Sequence, residues 1–242
     1  MNPDSSSSPT ASGNRPGSGC VVALVVGIGL LVAGVFWLPR VYESVREQAR
    51  APLPLRPPAL DFVAAHELAA LPLAREFAYP LGSPRGVLSY NAQPFMENHH
   101  LGDDWNGIGG YNSDLGDPVH AIGGGLVTFA AQLGGGWGGV AIVQHRVAGP
   151  GGGERFVQSL YAHLDEIHVT PGELVGRGER LGTVGNAGGR YWAHLHLEVR
   201  EFETRYIGAG YRPRPSGWLD PTEFIDSRLV APSHLQIPPQ TH

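Results

Sequence analysis

Short apolar runs separated by glycine fill the chain from about residue 76 to 225, and they restrict its fold more than any other feature. The runs cover residues 126–129, 140–144, 157–161, 180–184 and 195–199. Runs of this length, rich in β-branched and aromatic residues and bounded by glycine, indicate strands. The glycine-rich segment 149–153 predicts a hairpin turn, because glycine takes positive φ without strain. We therefore expect a mostly β, antiparallel sheet-rich domain with little helix.

A second glycine cluster spans residues 134–139 and contains Trp137. The cluster is compatible with a plain flexible turn and equally with one side of a substrate groove. The sequence leaves both readings open.

The N-terminal part of the chain has a different composition. Residues 1–19 are rich in serine, proline and glycine, which predicts a disordered tail, because such a segment cannot bury enough apolar surface to offset its ordering entropy. Residues 20–38 carry no charge and as a helix would span roughly 28 Å, close to the hydrocarbon thickness of a bilayer. We predict a transmembrane helix here. A cleavable signal peptide is the alternative, although its apolar region is usually shorter.

The remaining boundaries follow from proline content and pattern. Several prolines between residues 52 and 58 predict an extended spacer. We therefore divide the rest of the chain into a Pro-rich stalk with a short helix (39–75), the main domain (76–230) and a C-terminal tail (231–242).

Cysteine content and charge exclude several classes of protein. Cys20 is the only cysteine among the 242 residues, which excludes an intrachain disulfide, a cysteine-based metal site and a cysteine nucleophile. The formal net charge is −5, and no basic patch is visible. Nucleic acid is therefore not an expected partner.

Histidine carries the strongest chemical signal. His194 and His196 fall in a predicted strand, where side chains alternate between faces, so both imidazoles project to the same side. Such a pair can serve one metal, or one member can bind metal while the other handles protons. Two surface histidines on a polar strand face are the plainer interpretation.

A second element supplies an imidazole and a carboxylate four residues apart, His100 and Asp104, with Gly102 between them. Neutral imidazole and carboxylate are ordinary zinc ligands, and three protein ligands leave a fourth position open at a catalytic zinc site. His99 with Asp103 has the same spacing, so the residues alone leave two registers possible. A third element, His163, is placed at the end of a predicted strand.

Read in order, five motifs resemble the lysostaphin-type (LytM-like) peptidoglycan endopeptidases over about residues 80–226. The motifs are His-Leu-Gly-Asp-Asp at 100–104, Gly-Asp-Pro-Val at 116–119 before Gly-Gly-Leu-Val at 124–127, Tyr-Ala-His-Leu at 161–164, Gly-Arg-Gly-Glu-Arg-Leu-Gly at 176–182 with Val-Gly-Asn at 184–186, and His-Leu-His-Leu-Glu at 194–198. The chain departs from the family pattern at Tyr191 and Trp192, where many members have small residues, and in the long connection 201–217.

The resemblance implies a zinc metallopeptidase domain built on the duplicated LytM-like motif. It implies Zn²⁺ bound by His100, Asp104 and His196, with His163 and His194 as catalytic residues on either side of an activated water, and it favours the His100 register. Zinc chemistry of this kind cleaves peptide bonds of peptidoglycan stem peptides or crosslinks. Peptidoglycan is thus the expected substrate.

Two other functions compete with hydrolysis: a catalytically silent LytM-like scaffold or activator of cell-wall hydrolases, and a histidine-rich metal carrier. A peptidoglycan substrate also implies a location. We expect a single-pass protein of the inner (cytoplasmic) membrane, anchored through residues 20–38, with residues 1–19 cytoplasmic and the catalytic domain extracytoplasmic or periplasmic. A regulatory protein partner is possible, and the sequence does not identify one.

Overall fold

The computed structural model describes residues 62–82 and 86–229. Almost all regular structure in these residues is strand, which confirms the expected sheet-rich antiparallel class. The strands are β1 (Ser89–Gln93), β2 (Asp103–Gly107), β3 (Pro118–His120), β4 (Gly125–Gly134), β5 (Gly138–Ala148), β6 (Glu154–Ile167), β7 (Leu174–Val175), β8 (Arg180–Val184), β9 (Leu195–Arg200) and β10 (Trp218–Leu219). Two short helices, α1 (Ala65–Ala69) and α2 (Pro221–Asp226), and two 3-10 turns, Glu97–His99 and Pro150–Gly152, complete the description.

All paired strands in the described residues run antiparallel. Their order in the sheet is β1-β2-β9-β6-β5-β4-β7, with β10 on β9, and β8 joining both β3 and β6. Strand β9 therefore lies between β2 and β6. This arrangement brings together three strands that are far apart in sequence.

The central strands are buried on both faces. Along β5, Ala141 and Val143 belong to the main core, whereas Val140 and Ile142 pack into a separate cluster. This alternation follows from the two-residue period of a strand. It explains why the sequence of β5 is a continuous apolar run rather than an alternating one.

Glycine turns close both central hairpins. The predicted hairpin at 149–153 is confirmed: it joins β5 to β6 through the 3-10 turn. The cluster 134–139 forms the turn between β4 and β5, where Gly138 has φ of +62°. A Cβ there would lie 3.3 Å from the Cα atoms of both His163 and Ala187. Glycine thus allows three segments to approach one another beside His163.

The last residues of the predicted stalk pack against the sheet. Val63 N–H donates to the carbonyl of Glu203 at 2.9 Å. Val63, Leu68 and Leu71 form a small apolar cluster with Leu126. The folded part of the chain therefore extends N-terminal to the expected boundary at residue 76.

Several predicted segments lie outside the described residues: the tail 1–19, the transmembrane helix 20–38, residues 39–61 of the stalk and the C-terminal tail 231–242.

Among the residues that the structure describes, no helix is long and apolar enough to cross a membrane.

Candidate metal centre

Strand pairing places two of the predicted ligands opposite each other. Asp104 on β2 and His196 on β9 are direct cross-strand partners, and the Nδ1 atom of His196 lies 2.9 Å from Oδ1 of Asp104. Directly opposed residues in an antiparallel pair have neighbouring side chains on one face. The register of two strands therefore brings the imidazole and the carboxylate together.

His100 reaches the same point from the segment that precedes β2. Its Nε2 atom lies 2.9 Å from His196 Nδ1 and 3.2 Å from Asp104 Oδ1. The segment runs close against β9, since a Cβ on Gly102 would lie 2.3 Å from the carbonyl oxygen of Leu197. Only glycine fits there without a backbone shift. Gly102 thus allows His100 and Asp104 to face the same neighbour.

The three donor atoms fit a zinc ion. Zinc binds histidine nitrogen at about 2.0–2.1 Å and carboxylate oxygen at about 2.0–2.2 Å in a tetrahedron, so adjacent ligand atoms lie roughly 3.3 Å apart. The separations of 2.9, 2.9 and 3.2 Å differ from this by a few tenths of an ångström. His100, Asp104 and His196 also form the one group of metal-ligand side chains detected in the described part of the chain.

A buried carboxylate orients His196. Oε1 of Glu198 lies 3.1 Å from His196 Nε2, and Glu198 Oε2 accepts a 2.8 Å hydrogen bond from the indole N–H of Trp218. A carboxylate on the outer nitrogen of a histidine fixes the ring and directs its other nitrogen inward. Sequence reasoning gave Glu198 no role, although its position two residues after His196 placed it on the same strand face.

The electrostatics of the site favour a cation. Burial opposes ionisation of Asp104, but hydrogen bonds from His100 and His196 outweigh it and hold the pKa of that carboxyl well below its usual range. Burial likewise opposes a charge on His196, but hydrogen bonds to Asp104 and Glu198 raise the pKa of its imidazole to about 9. The two shifts have opposite causes: the imidazoles stabilise the ionised form of Asp104, and the carboxylates of Asp104 and Glu198 stabilise the charged form of His196.

His163 lies beside the centre at an irregular position in β6. The sequence placed it at the end of a strand; instead β6 continues to Ile167, and His163 sits at a bulge with φ of +62°. Positive φ is uncommon for a residue other than glycine and often accompanies functional sites. The Nδ1 atom of His163 is buried without a hydrogen-bond partner. Burial, and then the neighbouring His196 and His194, lower the pKa of His163 to about 3, so its ring is neutral at neutral pH.

His194 flanks the same space just before β9 begins. Its ring centroid is 4.6 Å from that of His163. Its Nδ1 lies 2.8 Å from the carbonyl oxygen of Trp192, so Nδ1 carries the proton in this contact. The other nitrogen, Nε2, faces Asp104 Oδ2 at 3.7 Å. His163 and His194 thus border the three donor atoms without belonging to that triangle.

The alternative register is not assembled. His99 is exposed at the end of the 3-10 turn. Asp103 points elsewhere: it accepts hydrogen bonds from the hydroxyl of Thr222 at 2.6 Å and from the N–H of Phe95 at 2.8 Å. The structure therefore brings His100 and Asp104, rather than His99 and Asp103, to His196.

The four histidines His100, His163, His194 and His196 line the floor of a groove of about 870 Å³. One wall is the β4–β5 turn with Gly136 and Trp137, so the second glycine cluster is both a turn and a groove wall. The loop after β8 supplies Tyr191 and Trp192, and the connection 201–217 supplies Tyr211. Tyr211 lies against His100, with ring centroids 5.0 Å apart. Both departures from the family pattern therefore border this groove.

Comparison with known proteins matches part of this chain to one protein family. Residues 104–207 match the model of Peptidase family M23. An uncharacterized protein of Neisseria meningitidis serogroup B is 35% identical over 125 residues, which are 52% of this chain and 18% of that protein. The chain thus spans less than a fifth of the length of this curated relative.

Solved structures of similar proteins include a zinc-containing peptidase and lysostaphin. A zinc-containing peptidase from Vibrio cholerae is 25% identical, with a TM-score of 0.41, over 52% of this chain and 37% of that chain. The catalytic domain of lysostaphin from Staphylococcus simulans is 23% identical, with a TM-score of 0.39, over 57% of this chain and 90% of that chain. The match over residues 104–207 agrees with the resemblance to the LytM-like M23 peptidases that the order of the motifs indicates.

Proposed function

We propose that this chain is a zinc metalloendopeptidase that hydrolyses peptide bonds of peptidoglycan stem peptides or crosslinks. One observation carries the proposal. His100 Nε2, Asp104 Oδ1 and His196 Nδ1 converge to within 3.2 Å of one another on the floor of a groove of about 870 Å³. That volume is in the range of about 300–1,000 Å³ typical of ligand sites. The match of residues 104–207 to Peptidase family M23 supports a peptidase with this site.

The three convergent side chains would hold the ion. A bound zinc supplies Lewis acidity, which polarises a carbonyl and acidifies water. Glu198 keeps the ring of His196 in the orientation that presents Nδ1. Gly102 keeps the segment of His100 against β9.

His163 and His194 would accept a proton and stabilise negative charge during hydrolysis. The contact between His194 Nδ1 and the Trp192 carbonyl leaves Nε2 free to accept a proton, because neutral imidazole carries one proton. This contact supports His194 as the general base. His163 is neutral, buried and unpaired at Nδ1, which suits it to stabilise negative charge on the peptide oxygen by donating a hydrogen bond.

Digestion of purified sacculi by the full-length chain tests the proposal. We expect soluble muropeptides that mass spectrometry assigns to peptide-bond cleavage, loss of the products with a chelator, and recovery when zinc is returned. Activity that survives complete metal removal would contradict the mechanism. Binding of sacculi without any product, in the zinc-loaded chain, would favour the silent scaffold instead.

We further propose that residues 20–38 anchor the chain in the cytoplasmic membrane with the peptidase domain outside the cytoplasm. The support is an uncharged run of nineteen residues and a substrate that lies beyond that membrane. A reporter fused after His242 should be active only outside the cytoplasm, and a strong cytoplasmic signal would reverse this topology.

A further inference from the structure

The two histidine ligands of the candidate metal centre are held in different ways. Oε1 of Glu198 lies 3.1 Å from Nε2 of His196, and a carboxylate in this place fixes the ring of a metal-binding histidine. His100 is 1% exposed, and its Nδ1 atom has no hydrogen-bond partner among the described residues. The orientation of the His100 ring therefore depends on packing rather than on a hydrogen bond at its outer nitrogen.

Two aromatic rings pack on His100: the ring of the other ligand, His196, and the ring of Tyr211. The ring centroids of Tyr211 and His100 are 5.0 Å apart, and the ring planes are tilted by 38°. The hydroxyl of Tyr211 donates a 3.0 Å hydrogen bond to Oε1 of Gln93 at the end of β1. The tyrosine ring is thus held at its outer end while its face lies against the ligand.

The backbone places Tyr211 opposite His100. The two residues form an isolated antiparallel bridge. Two backbone hydrogen bonds flank the bridge: Leu101 N–H donates to the carbonyl of Gly210 at 2.9 Å, and Arg212 N–H donates to the carbonyl of His99 at 2.7 Å. Directly opposed residues of an antiparallel pair have neighbouring side chains on one face. The contact between the two rings therefore follows from backbone pairing.

The connection 201–217, which carries Tyr211, is also fixed to the strand of the other histidine ligand. Arg200 ends β9 and is fully buried. Its Nη1 atom donates to the carbonyls of Tyr206 at 2.9 Å and Ile207 at 3.0 Å. Hydrogen bonds from a charged donor are stronger than those between neutral groups. The connection is thus attached to β9 near its start and to the segment of His100 at Tyr211.

We propose that Tyr211 is a positioning residue that orients the imidazole of His100 for the metal. The proposal rests on the proposed zinc site, since His100 is one of its three ligands. An aromatic pair contributes free energy beyond its buried area, so the tyrosine ring favours the orientation in which Nε2 faces Asp104 and His196. A ligand that is already oriented loses less freedom when the ion binds, which raises the affinity for zinc.

The zinc affinity of the full-length chain, measured by competition with a chromophoric chelator, tests the proposal. Tyr211→Leu removes the ring and should weaken zinc binding about threefold to tenfold, the effect of losing one aromatic pair. Tyr211→Phe keeps the ring, and the backbone bridge still sets its position, so its affinity should stay within about twofold of the unmodified chain.

Tyr90→Leu is the matched control. Tyr90 is 45% exposed, close to the 49% of Tyr211, but it does not line the groove. We expect this variant to bind zinc like the unmodified chain.

Two further measurements separate positioning from a general loss of stability. In NMR spectra of the metal-free chain, the His100 ring protons should shift in Tyr211→Leu and stay nearly unchanged in Tyr211→Phe, because a neighbouring aromatic ring shifts them. Urea denaturation of the same metal-free proteins gives the free energy of unfolding. A Tyr211→Leu chain that is less stable but binds zinc as tightly as the unmodified chain would show a structural role only and would overturn the inference.

The outcomes also separate this inference from the proposed hydrolysis. Equal zinc affinity of Tyr211→Leu and the unmodified chain, in a protein that digests sacculi, overturns only the role of Tyr211. Weaker zinc binding in Tyr211→Leu, restored in Tyr211→Phe, supports that role even if the unmodified chain cuts no peptidoglycan. An unmodified chain without affinity for zinc would overturn both.

Discussion

Strand β6 contributes residues to two buried polar clusters. The histidine of one cluster is hydrogen-bonded at both ring nitrogens, whereas the other cluster contains histidine nitrogens without a partner among the described residues. The inner cluster consists of His145, Ser159 and Tyr161. The site cluster consists of His100, Asp104, His163, His194 and His196. Both clusters are largely buried. The side chains of the inner cluster hydrogen-bond to one another, whereas those of the site cluster surround the candidate metal position.

In the inner cluster the histidine is paired at both ring nitrogens. His145 Nδ1 lies 2.8 Å from the carbonyl oxygen of Gly124, and Nε2 lies 2.7 Å from the hydroxyl of Ser159. The hydroxyl of Ser159 also donates to the hydroxyl of Tyr161, which accepts a second hydrogen bond from the N–H of Ile122. Buried polar groups arranged in this way specify how strands pack and need nothing from outside.

In the site cluster two histidine nitrogens, Nδ1 of His100 and Nδ1 of His163, are buried without any partner in the described residues. An unpaired buried polar atom costs free energy, about 1–3 kcal/mol. Strand β6 thus borders one histidine, His145, whose two ring nitrogens are paired within the fold, and carries another, His163, whose Nδ1 is not paired among the described residues. The contrast distinguishes a structural histidine from a functional one better than burial does.

The largest expected effect comes from removing a ligand. His196→Ala or Asp104→Ala should abolish zinc retention and reduce hydrolysis to the level of the metal-free chain, since two remaining protein ligands bind the ion poorly. Metal content by elemental analysis and sacculus digestion measure both effects. His99→Ala is the matched control and should keep both. Loss of metal in His99→Ala, with metal retained in His100→Ala, would show that the register is wrong.

The next largest effect comes from replacing the two histidines that are not metal ligands, which separates acid-base catalysis from metal binding. His163→Ala and His194→Ala should keep about one zinc per chain and lose about 10²- to 10⁴-fold in turnover, the usual contribution of general acid-base catalysis. Zinc stoichiometry and kcat on one peptide substrate are the measurements. A variant that loses its zinc together with its activity would move that histidine into the ligand set.

The smallest effect concerns the inner cluster. Burial lowers the pKa of His145 to about 4 from an ordinary 6.5, against a smaller opposing effect of the Gly124 carbonyl. Because the folded-state pKa is the lower one, the stabilisation from the neutral ring is complete above about pH 6.5 and is lost as the pH falls toward 4. We expect the free energy of unfolding to fall by about 2 kcal/mol between pH 7.5 and 5 from this residue alone.

Urea denaturation of the unmodified chain and of His145→Asn at both pH values isolates that contribution. The variant lacks the imidazole and should lose about 2 kcal/mol less over the same interval. Equal losses in both proteins would mean that the ring is not held neutral by the fold, and the contrast between the two clusters would weaken.

Much of this arrangement could be predicted from local sequence. Residues 140–144 and 195–199 had the composition of buried strands, and the spacing of His194 and His196 placed both on one face. Residue spacing did not choose between His99 and His100. The choice depends on Gly102, which lies against Leu197 of another strand, and on the bonds that hold Asp103 to Phe95 and Thr222.

Other features depended on contacts between distant segments. The bulge at His163 comes from its pairing with the β4–β5 turn, where its N–H donates to the carbonyl of Trp137. The role of Glu198 depended on Trp218, twenty positions along the chain. Local propensity carries no information about such neighbours, because they are fixed only when the sheet closes.

The attachment of residues 62–71 has a practical consequence for where the chain can be cut. Arg205 donates to the carbonyl of Phe62 at 3.0 Å, and the connection that contains Arg205 continues to the groove wall at Tyr211. A fragment that begins at residue 76 would lose this support and would expose the side chain of Leu126 to water. The shortest fragment that keeps the wall in place must start before Phe62, well upstream of the segment that carries the family motifs.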